Sequence, residues 1–152
     1  IVIKPIHGYA GKGILFLNNT FKKKEISKLL HKNGHAMVQK FLPNVKKGDK
    51  RVFIINGKVC GAIRRIPSKN SILSNISQGG TAVKTTLNSK QNKISSIIAK
   101  DLLKNKIYFA GIDFVSNYLI GDINVTSPTG LPQYKELTGI NLGETFWDSL
   151  EN

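Results

Sequence analysis

Two short apolar segments that follow one another in the chain each contain one aspartate, and this pattern constrains the fold more than any other. The segments are 107–115, with Asp113, and 118–125, with Asp122. Burying a carboxylate in apolar surroundings is unfavourable unless the group is paired or bound to a cation. Because the chain has only nine Asp and Glu residues against 23 Lys and Arg, we expect these two aspartates to act together.

The two segments are predicted to form an antiparallel hairpin with 116–117 as a two-residue loop. Side chains alternate between the faces of a strand, so Asp113, Asp122 and Asn124 are predicted to share one face. Their oxygens are hard donors, typical of Mg²⁺ or Mn²⁺ sites. A second interpretation stays open, in which the acids cap turns or pair with lysines. A three-residue loop would reverse the pairing unless Gly121 forms a compensating bulge.

The composition narrows the class of protein. The 152 residues amount to one domain's worth of chain. The net charge of +14 favours anionic partners, and because the lysines are spread over many segments we expect nucleotides rather than nucleic acid. The single cysteine, Cys60, excludes an intrachain disulfide and does not favour a zinc site. It is compatible with the reducing cytoplasm, where we expect the protein to be located. No apolar run suits a membrane span.

The hydrophobic pattern predicts an α+β arrangement of short strands and three helices. One helix is expected between a Thr20 cap and Gly34, a second from Asn88 or Ser89, and a third over 141–150. Asn56-Gly57 predicts a tight hairpin between strands 51–55 and 58–63. The polar segment 67–86 is predicted to be a long loop, and Trp147 is predicted to lie in the core.

Three further motifs suit the binding of a phosphate-bearing ligand. Lys4 precedes the glycines of a strand-to-strand loop, which suits phosphate but is neither a Walker A nor a Rossmann motif; an ordinary hairpin is equally compatible. The strand end at 39–43 could present backbone groups to adenine, although a plain strand end explains it as well. In the 51–63 hairpin, simple counting places Arg64 on the face of Arg51, and Arg65 joins that face only if Gly61 forms a bulge.

Taken together, these segments resemble the bacterial-type glutathione synthetases, which are ATP-grasp ligases. The resemblance covers nearly the whole chain and rests on IVIKPIHGYAGKGI, QKFLPNVKKGDKRVFIINGK, RRIP with NISQGG, AGIDF and, most specifically, DINVTSPTG. It implies the ATP-grasp fold, in which two α+β subdomains grip ATP, with residues 1–38 as the small subdomain and 39–152 as the C-terminal one. It also implies that ATP phosphorylates γ-glutamylcysteine and that glycine attacks the acyl phosphate.

The resemblance assigns a role to each matching position. For ATP these are Lys4 at the phosphates, Gly8, Gly11 and Gly13 in the covering loop, Gln39 and Leu42 at adenine, and Asp49 at the ribose. Arg51 and Arg65 are the catalytic pair that neutralises the transferring phosphoryl group or the acyl phosphate. The positions for two Mg²⁺ (or Mn²⁺) ions are Asp113, Asp122 and Asn124. The substrate positions are Asn75, Gly79, Gly80, Ser127 and Thr129.

The chain departs from the family pattern in ways that bear on function. Asp122 stands where the family usually has Glu, Gly121 is an apparent insertion, and Thr81 stands where relatives often have Arg. The resemblance covers the second half of the family enzyme, so we expect this polypeptide alone to be inactive or very weak and the full-length enzyme to be a homo-oligomer. Two alternatives stay open: another ATP-grasp carboxylate–amine ligase, and a basic nucleic-acid-binding module.

Overall fold

The computed structural model describes residues 1–7, 12–17, 22–68, 76 and 79–151. The chain divides into two compact units, Ile1–Pro43 and Asn44–Asn152. Each has its own sheet and its own buried apolar cluster. No helix in the described part of the chain is both long enough and apolar enough to cross a membrane.

The first unit is a small antiparallel sheet with one helix. Its elements are β1 (Val2–Pro5), β2 (Leu15–Phe16), α1 (Lys23–Asn33) and β3 (Ala36–Gln39), with the strands in the order β2-β1-β3. The helix ends at Gly34, whose positive φ of 74° is a backbone conformation that glycine adopts more readily than other residues. This confirms the predicted helix end, whereas the predicted Thr20 cap lies outside the described residues.

The second unit contains a five-stranded antiparallel sheet in the order β6-β5-β4-β7-β8. A 3₁₀ helix (Pro43–Lys47) leads into it from the end of the first unit. The strands are β4 (Asp49–Ile55), β5 (Lys58–Ile66), β6 (Thr81–Lys84), β7 (Phe109–Phe114) and β8 (Ile120–Asn124), and the helices are α2 (Ser89–Lys104), α3 (Leu131–Thr138) and α4 (Leu142–Glu151).

The β4–β5 hairpin turns at Asn56-Gly57, as predicted. Both residues have positive φ, 44° and 72°, which a tight two-residue turn requires. The pairing then shifts between Phe53 and Ile54, so that Arg51 lies opposite Ile63 and Asp49 lies opposite Arg65. Simple counting, which grouped Arg64 with Arg51, was therefore wrong. The bulge alternative is the observed one, and it places Arg65 on the face of Arg51.

The β7–β8 hairpin also contains a bulge. The predicted two-residue loop was wrong, because Val115 N–H donates to the Leu119 carbonyl at 2.9 Å and leaves three residues between them. The register then shifts so that Asp113 lies directly opposite Asp122, with Gly121 as the extra residue. The bulge compensates for the longer loop, and the prediction that the two aspartates share a face is confirmed.

The two faces of the large sheet are covered by different helices. On one face, α2 packs over a cluster that includes Ile54, Ile112 and Phe114. On the other, α3 and α4 pack over Phe53 and Ile63. Both clusters are fully or almost fully buried, as expected for a sheet covered on both sides.

Three sequence predictions outside the site need correction. Residues 67–86 do not form one long loop, because β6 pairs with β5 as an edge strand. Helix α3 was not predicted, although Gly130, Pro132 and Gly139 mark its start and end. Trp147 is not a core residue, since it is 64% exposed and rests against Phe146.

The start of α2 has a capping box, and this gives a first prediction. The Asn88 side chain accepts from the Gln91 N–H at 2.8 Å, and the Gln91 side chain accepts from the Asn88 N–H at 3.2 Å. We expect Asn88→Ala to lower the free energy of unfolding by about 1 kcal/mol, measured by urea denaturation. Asn105→Ala, at the exposed far end of the helix, is the control; equal effects of the two changes would contradict this assignment.

Candidate functional site

Four charged side chains form a buried group at one end of the large sheet, on the face that carries α3 and α4. We call Asp49, Arg51, Arg65 and Asp113 the charged array. Each is 8% exposed or less. Two guanidinium groups and two carboxylates balance in charge, which is the arrangement that makes buried ions tolerable.

Within the charged array, Asp113 accepts hydrogen bonds from both arginines. Arg51 donates to it from Nε and from Nη2, the latter at 2.8 Å, and Arg65 donates from Nη2 at 2.7 Å. Arg51 also donates from Nη1 to the Thr129 carbonyl at 3.1 Å. Since the geometry is bidentate, Arg51 is held in one orientation by its carboxylate partner.

Arg65 lies between the two aspartates of the charged array. Its Nε and Nη2 donate to Asp49 at 2.7 and 2.8 Å. Its Nη1 is buried and has no hydrogen-bond partner among the described residues. Burial by itself lowers the pKa of Arg65, but the charge of Asp113 and the hydrogen bonds and charge of Asp49 outweigh it and hold the pKa above its ordinary value. Arg65 is therefore a permanent cation with one donor group still to satisfy.

The local sequence leaves space for the arginines. A Cβ at Gly111 would lie 2.8 Å from Cδ of Arg51 and 2.9 Å from Cβ of Pro128, so glycine is needed where the Arg51 side chain crosses β7. A Cβ at Gly48, whose φ is 89°, would lie 2.1 Å from the Arg65 carbonyl oxygen. These two glycines allow the close approach of the chain that the charged array requires.

Asp122 and Asn124 lie next to the charged array on the edge strand β8. Asp122 is opposite Asp113, and Asn124 is opposite Gly111. Asp122 is exposed and Asn124 is half-buried. The Asn124 Oδ1 accepts from the N–H groups of Thr126 and Ser127 at 3.1 and 3.0 Å, forming a turn that fixes the start of the next loop.

The structure brings most of the sequence-predicted site residues of the second unit together. The two arginines, the two aspartates at 113 and 122, and Asn124 lie on one face, and Thr129 joins them through its carbonyl. Ser127 is tied to Asn124. Gly79 and Gly80 precede β6 at the opposite edge of the sheet, and Gly79 has a φ of 85°.

The predicted nucleotide residues lie in the first unit, apart from Asp49. Lys4 is on β1 opposite Met37, and Gln39 ends β3 opposite Val2. Gly13 has a φ of 76° beside Pro5, and Leu42 follows β3. Gly8, Gly11 and Asn75 lie outside the described residues, so their predicted roles remain predictions.

The residues present fit a divalent cation in their chemistry. Two carboxylates and one carboxamide provide oxygen donors, the kind that Mg²⁺ prefers. A carboxylate offers about four acceptor positions, and the arginines use three on Asp113, so one remains. Nowhere in the described ranges do three or more His, Cys, Asp or Glu side chains form a group able to hold a metal. The Asn124 oxygen already accepts hydrogen bonds from Thr126 and Ser127. Any ion here therefore needs ligand phosphates, or a rearrangement of that turn that frees the Asn124 oxygen.

Sequence reasoning missed two features around this site. It assigned Asp113 to a metal alone, whereas both arginines already bind it. It also gave no role to Gln91, whose side chain is 2% exposed and contacts Lys50 and Ser116. The only signal was the Asn88-x-x-Gln91 spacing of a capping box.

Burial lowers the pKa of Lys50 below its ordinary value, and the charge of Arg64 lowers it further.

The match to a family model decides the relationship of the chain to known proteins. The model described as the prokaryotic glutathione synthetase ATP-grasp domain matches residues 1–139. The chain belongs to this glutathione synthetase family. The resemblance inferred from DINVTSPTG and the other segments is thereby confirmed, and so is the ATP-grasp fold.

Curated relatives named glutathione synthetase match almost the whole chain. The one from Synechocystis is 42% identical over 94% of this chain and 45% of its own length. That from Mesorhizobium japonicum is 35% identical over 99% of this chain and 49% of its own length. The chain therefore spans about half the length of the curated glutathione synthetases it matches.

Two solved structures share the fold at low sequence identity. A crystal structure of the D-cycloserine synthetase DcsG superposes with a TM-score of 0.64 at 14% identity, over 84% of this chain and 48% of that one. The ATP-grasp ligase PsnB, solved with a minimal precursor, gives 0.59 at 13% identity, over 98% and 46%. These likenesses support the fold and say nothing of substrate.

Proposed function

We propose that the chain is the ATP- and metal-binding part of an ATP-dependent ligase that joins γ-glutamylcysteine and glycine to make glutathione. The observation that carries this proposal is the charged array beside Asp122 and Asn124 in a chain of the glutathione synthetase family. It combines fixed cations for a phosphoryl group with oxygen donors for a divalent cation. Such a site acts by positioning and charge neutralisation and needs no covalent nucleophile.

The proposed reaction has two steps. A carboxylate oxygen of γ-glutamylcysteine attacks the γ-phosphorus of ATP, and ADP leaves. The glycine amine then attacks the acyl carbon, loses a proton, and phosphate leaves. Arg51 and Arg65, held in place by Asp113, supply positive charge to the phosphoryl group and the acyl phosphate. The buried, unpartnered Nη1 of Arg65 is the donor we assign to an anionic oxygen.

The proposed metal ligands are Asp122, Asp113 and Asn124. Asp122 is the exposed carboxylate of the set, and Asp113 lies opposite it. A bound Mg²⁺ or Mn²⁺ would neutralise the phosphate oxygens of ATP. For the nucleotide we propose Lys4, Gln39 and Leu42, with Gly8, Gly11 and Gly13 over the phosphates.

Asp49 receives a modified role in this proposal. Both of its oxygens accept hydrogen bonds from Arg65, which supports an orienting role for that arginine. The ribose contact implied by the resemblance remains a prediction. Asn75, Gly79, Gly80, Ser127 and Thr129 remain the proposed substrate positions, and Ser127 and Thr129 are supported by their ties to Asn124 and Arg51.

A second candidate is another ATP-grasp carboxylate–amine ligase. The charged array and the acids beside it are compatible with it, because they suit a phosphoryl group and a cation and do not select the acid or the amine. Such an enzyme would share the phosphate and metal residues and would differ in residues 124–130. The choice of acid and amine substrates therefore separates the two candidates.

The experiment that tests the proposal is an exchange of matching halves. Residues 1–139 replace the corresponding part of the Synechocystis glutathione synthetase, and glutathione and ADP are quantified. We expect product that requires ATP, Mg²⁺, γ-glutamylcysteine and glycine, and none from the same chimera carrying Arg65→Met. Turnover with other acid–amine pairs only would favour the second candidate. A folded chimera that binds the substrates yet releases no ADP would contradict the proposal.

Three coarser features belong to the same proposal. We place the protein in the cytoplasm and the full-length enzyme in a homo-oligomer. We also propose a subdomain boundary near residue 38, and the contact-based division of the chain falls close by, after Pro43. No nucleic-acid or membrane partner is included.

A further inference from the structure

A buried glutamine links three segments at the end of the sheet that carries the proposed metal ligands. Gln91 lies in the first turn of α2 and is 2% exposed. Its Oε1 accepts from Lys50 Nζ at 3.1 Å and from the Asn88 N–H at 3.2 Å. Its Nε2 donates to the Ser116 carbonyl at 3.3 Å, in the loop that joins β7 to β8. One side chain thus connects a helix, a central strand and the β7–β8 loop.

The orientation of the Gln91 amide is fixed by its partners. Lys50 also donates to the Thr86 carbonyl at 2.8 Å, so its ammonium is held in place and requires an acceptor from Gln91. A lysine has donors only. The carboxamide oxygen must therefore face Lys50, and the NH₂ group must face Ser116. The N–H of Gln91 itself is held by the Asn88 cap.

The loop that Gln91 holds leads into the strand that carries Asp122. Val115, next to Ser116, pairs with Leu119 and closes the loop. A Cβ on Gly121 would lie 2.6 Å from Cγ2 of Val115, so the loop packs directly against the bulge that precedes Asp122. The edge strand β8 pairs with β7, and it is joined to the helical layer on the other face of the sheet by this loop and by the packing of Ile120.

We propose that Gln91 is a positioning residue for the divalent cation, acting through the β7–β8 loop to set the distance between Asp122 and Asp113. This inference depends on the metal site of the proposed function. It adds a buried amide on the helix that covers the other face of the sheet to the residues that the cation requires. Outer partners of metal ligands commonly change metal affinity by about 10- to 100-fold.

The test uses Mn²⁺ titration followed by electron paramagnetic resonance, with the wild-type chain, Gln91→Glu and Asn88→Ala. The glutamate keeps both acceptor contacts of Gln91 and replaces the donor to Ser116 with a carboxylate oxygen, which also adds a negative charge beside Lys50. Asn88→Ala weakens the same helix start and leaves that donor intact. We expect Gln91→Glu to lower Mn²⁺ affinity about tenfold and to speed deuterium exchange over 115–124, with Asn88→Ala close to wild type in both.

Each other result overturns the inference. Equal Mn²⁺ affinity in all three chains, an equal loss in both variants, or unchanged exchange over 115–124 would show that Gln91 does not position the ligands. Failure of the wild type to bind Mn²⁺, both alone and with a non-hydrolysable ATP analogue, would overturn the metal site itself and this inference with it, so the two failures are distinguishable. If Gln91→Glu does not fold, Gln91→Met takes its place; it has a side chain of similar length and removes the donor together with the acceptor for Lys50 and Asn88.

Discussion

Asp113→Asn is expected to lower the free energy of unfolding by about 3–5 kcal/mol, because it breaks a buried ion-pair group by removing one partner. The carboxylate is 7% exposed and accepts from both Arg51 and Arg65. An amide of the same size would leave two buried guanidinium groups to share the charge of Asp49 alone. It would also turn an NH₂ group toward a donor. Urea denaturation followed by circular dichroism measures the change.

Two comparisons make this prediction specific. Asp122→Asn, on the exposed position opposite, is expected to change stability by less than about 0.5 kcal/mol. The double variant Arg51→Met with Asp113→Leu removes one cation together with its anion and leaves Arg65 paired with Asp49. It should therefore recover part of the loss. Equal effects of Asp113→Asn and Asp122→Asn would contradict the account of the charged array.

The second large effect concerns the proposed cation site, in which Asp122 is the exposed carboxylate. Asp122→Asn is expected to weaken Mn²⁺ binding by at least about tenfold, since an anionic oxygen ligand is lost while size is kept. Asp122→Glu keeps the charge and should bind Mn²⁺ at least as well as the wild type. Electron paramagnetic resonance titration measures both. If Asp122→Asn bound Mn²⁺ as tightly as the wild type, the ion would have to lie elsewhere.

Turns and helix starts were predictable where neighbouring residues in the sequence specify the backbone conformation. Asn56-Gly57 fixes its hairpin through two positive φ angles, and Asn88 with Gln91 fixes the start of α2. The common face of Asp113 and Asp122 was also predicted, because alternation along strands is a local rule. The register of the two hairpins was not predictable from residue counting. A bulge adds one extra residue to a strand, and tertiary packing decides where that residue is placed.

The partners of the site residues could not be predicted in the same way. The contact of Asp113 with Arg51 joins residues 62 positions apart, and it exists because β4 and β7 are neighbours in the sheet. The exposure of Trp147 also depends on tertiary packing. The way α3 and α4 pack on the sheet decides which face of α4 is covered, and the helical pattern alone does not show this. The missed role of Gln91 depends on a loop 25 residues away.

The central claim is that Asp113, Asp122 and Asn124 hold a cation together with a triphosphate. The most direct test is calorimetric titration of the chain with a non-hydrolysable ATP analogue, once in Mg²⁺ and once in EDTA. The account predicts binding in Mg²⁺ that is lost in EDTA, lost in Asp122→Asn and kept in Asp122→Glu. Binding of equal strength with and without Mg²⁺, or by Asp122→Asn and the wild type alike, would contradict it.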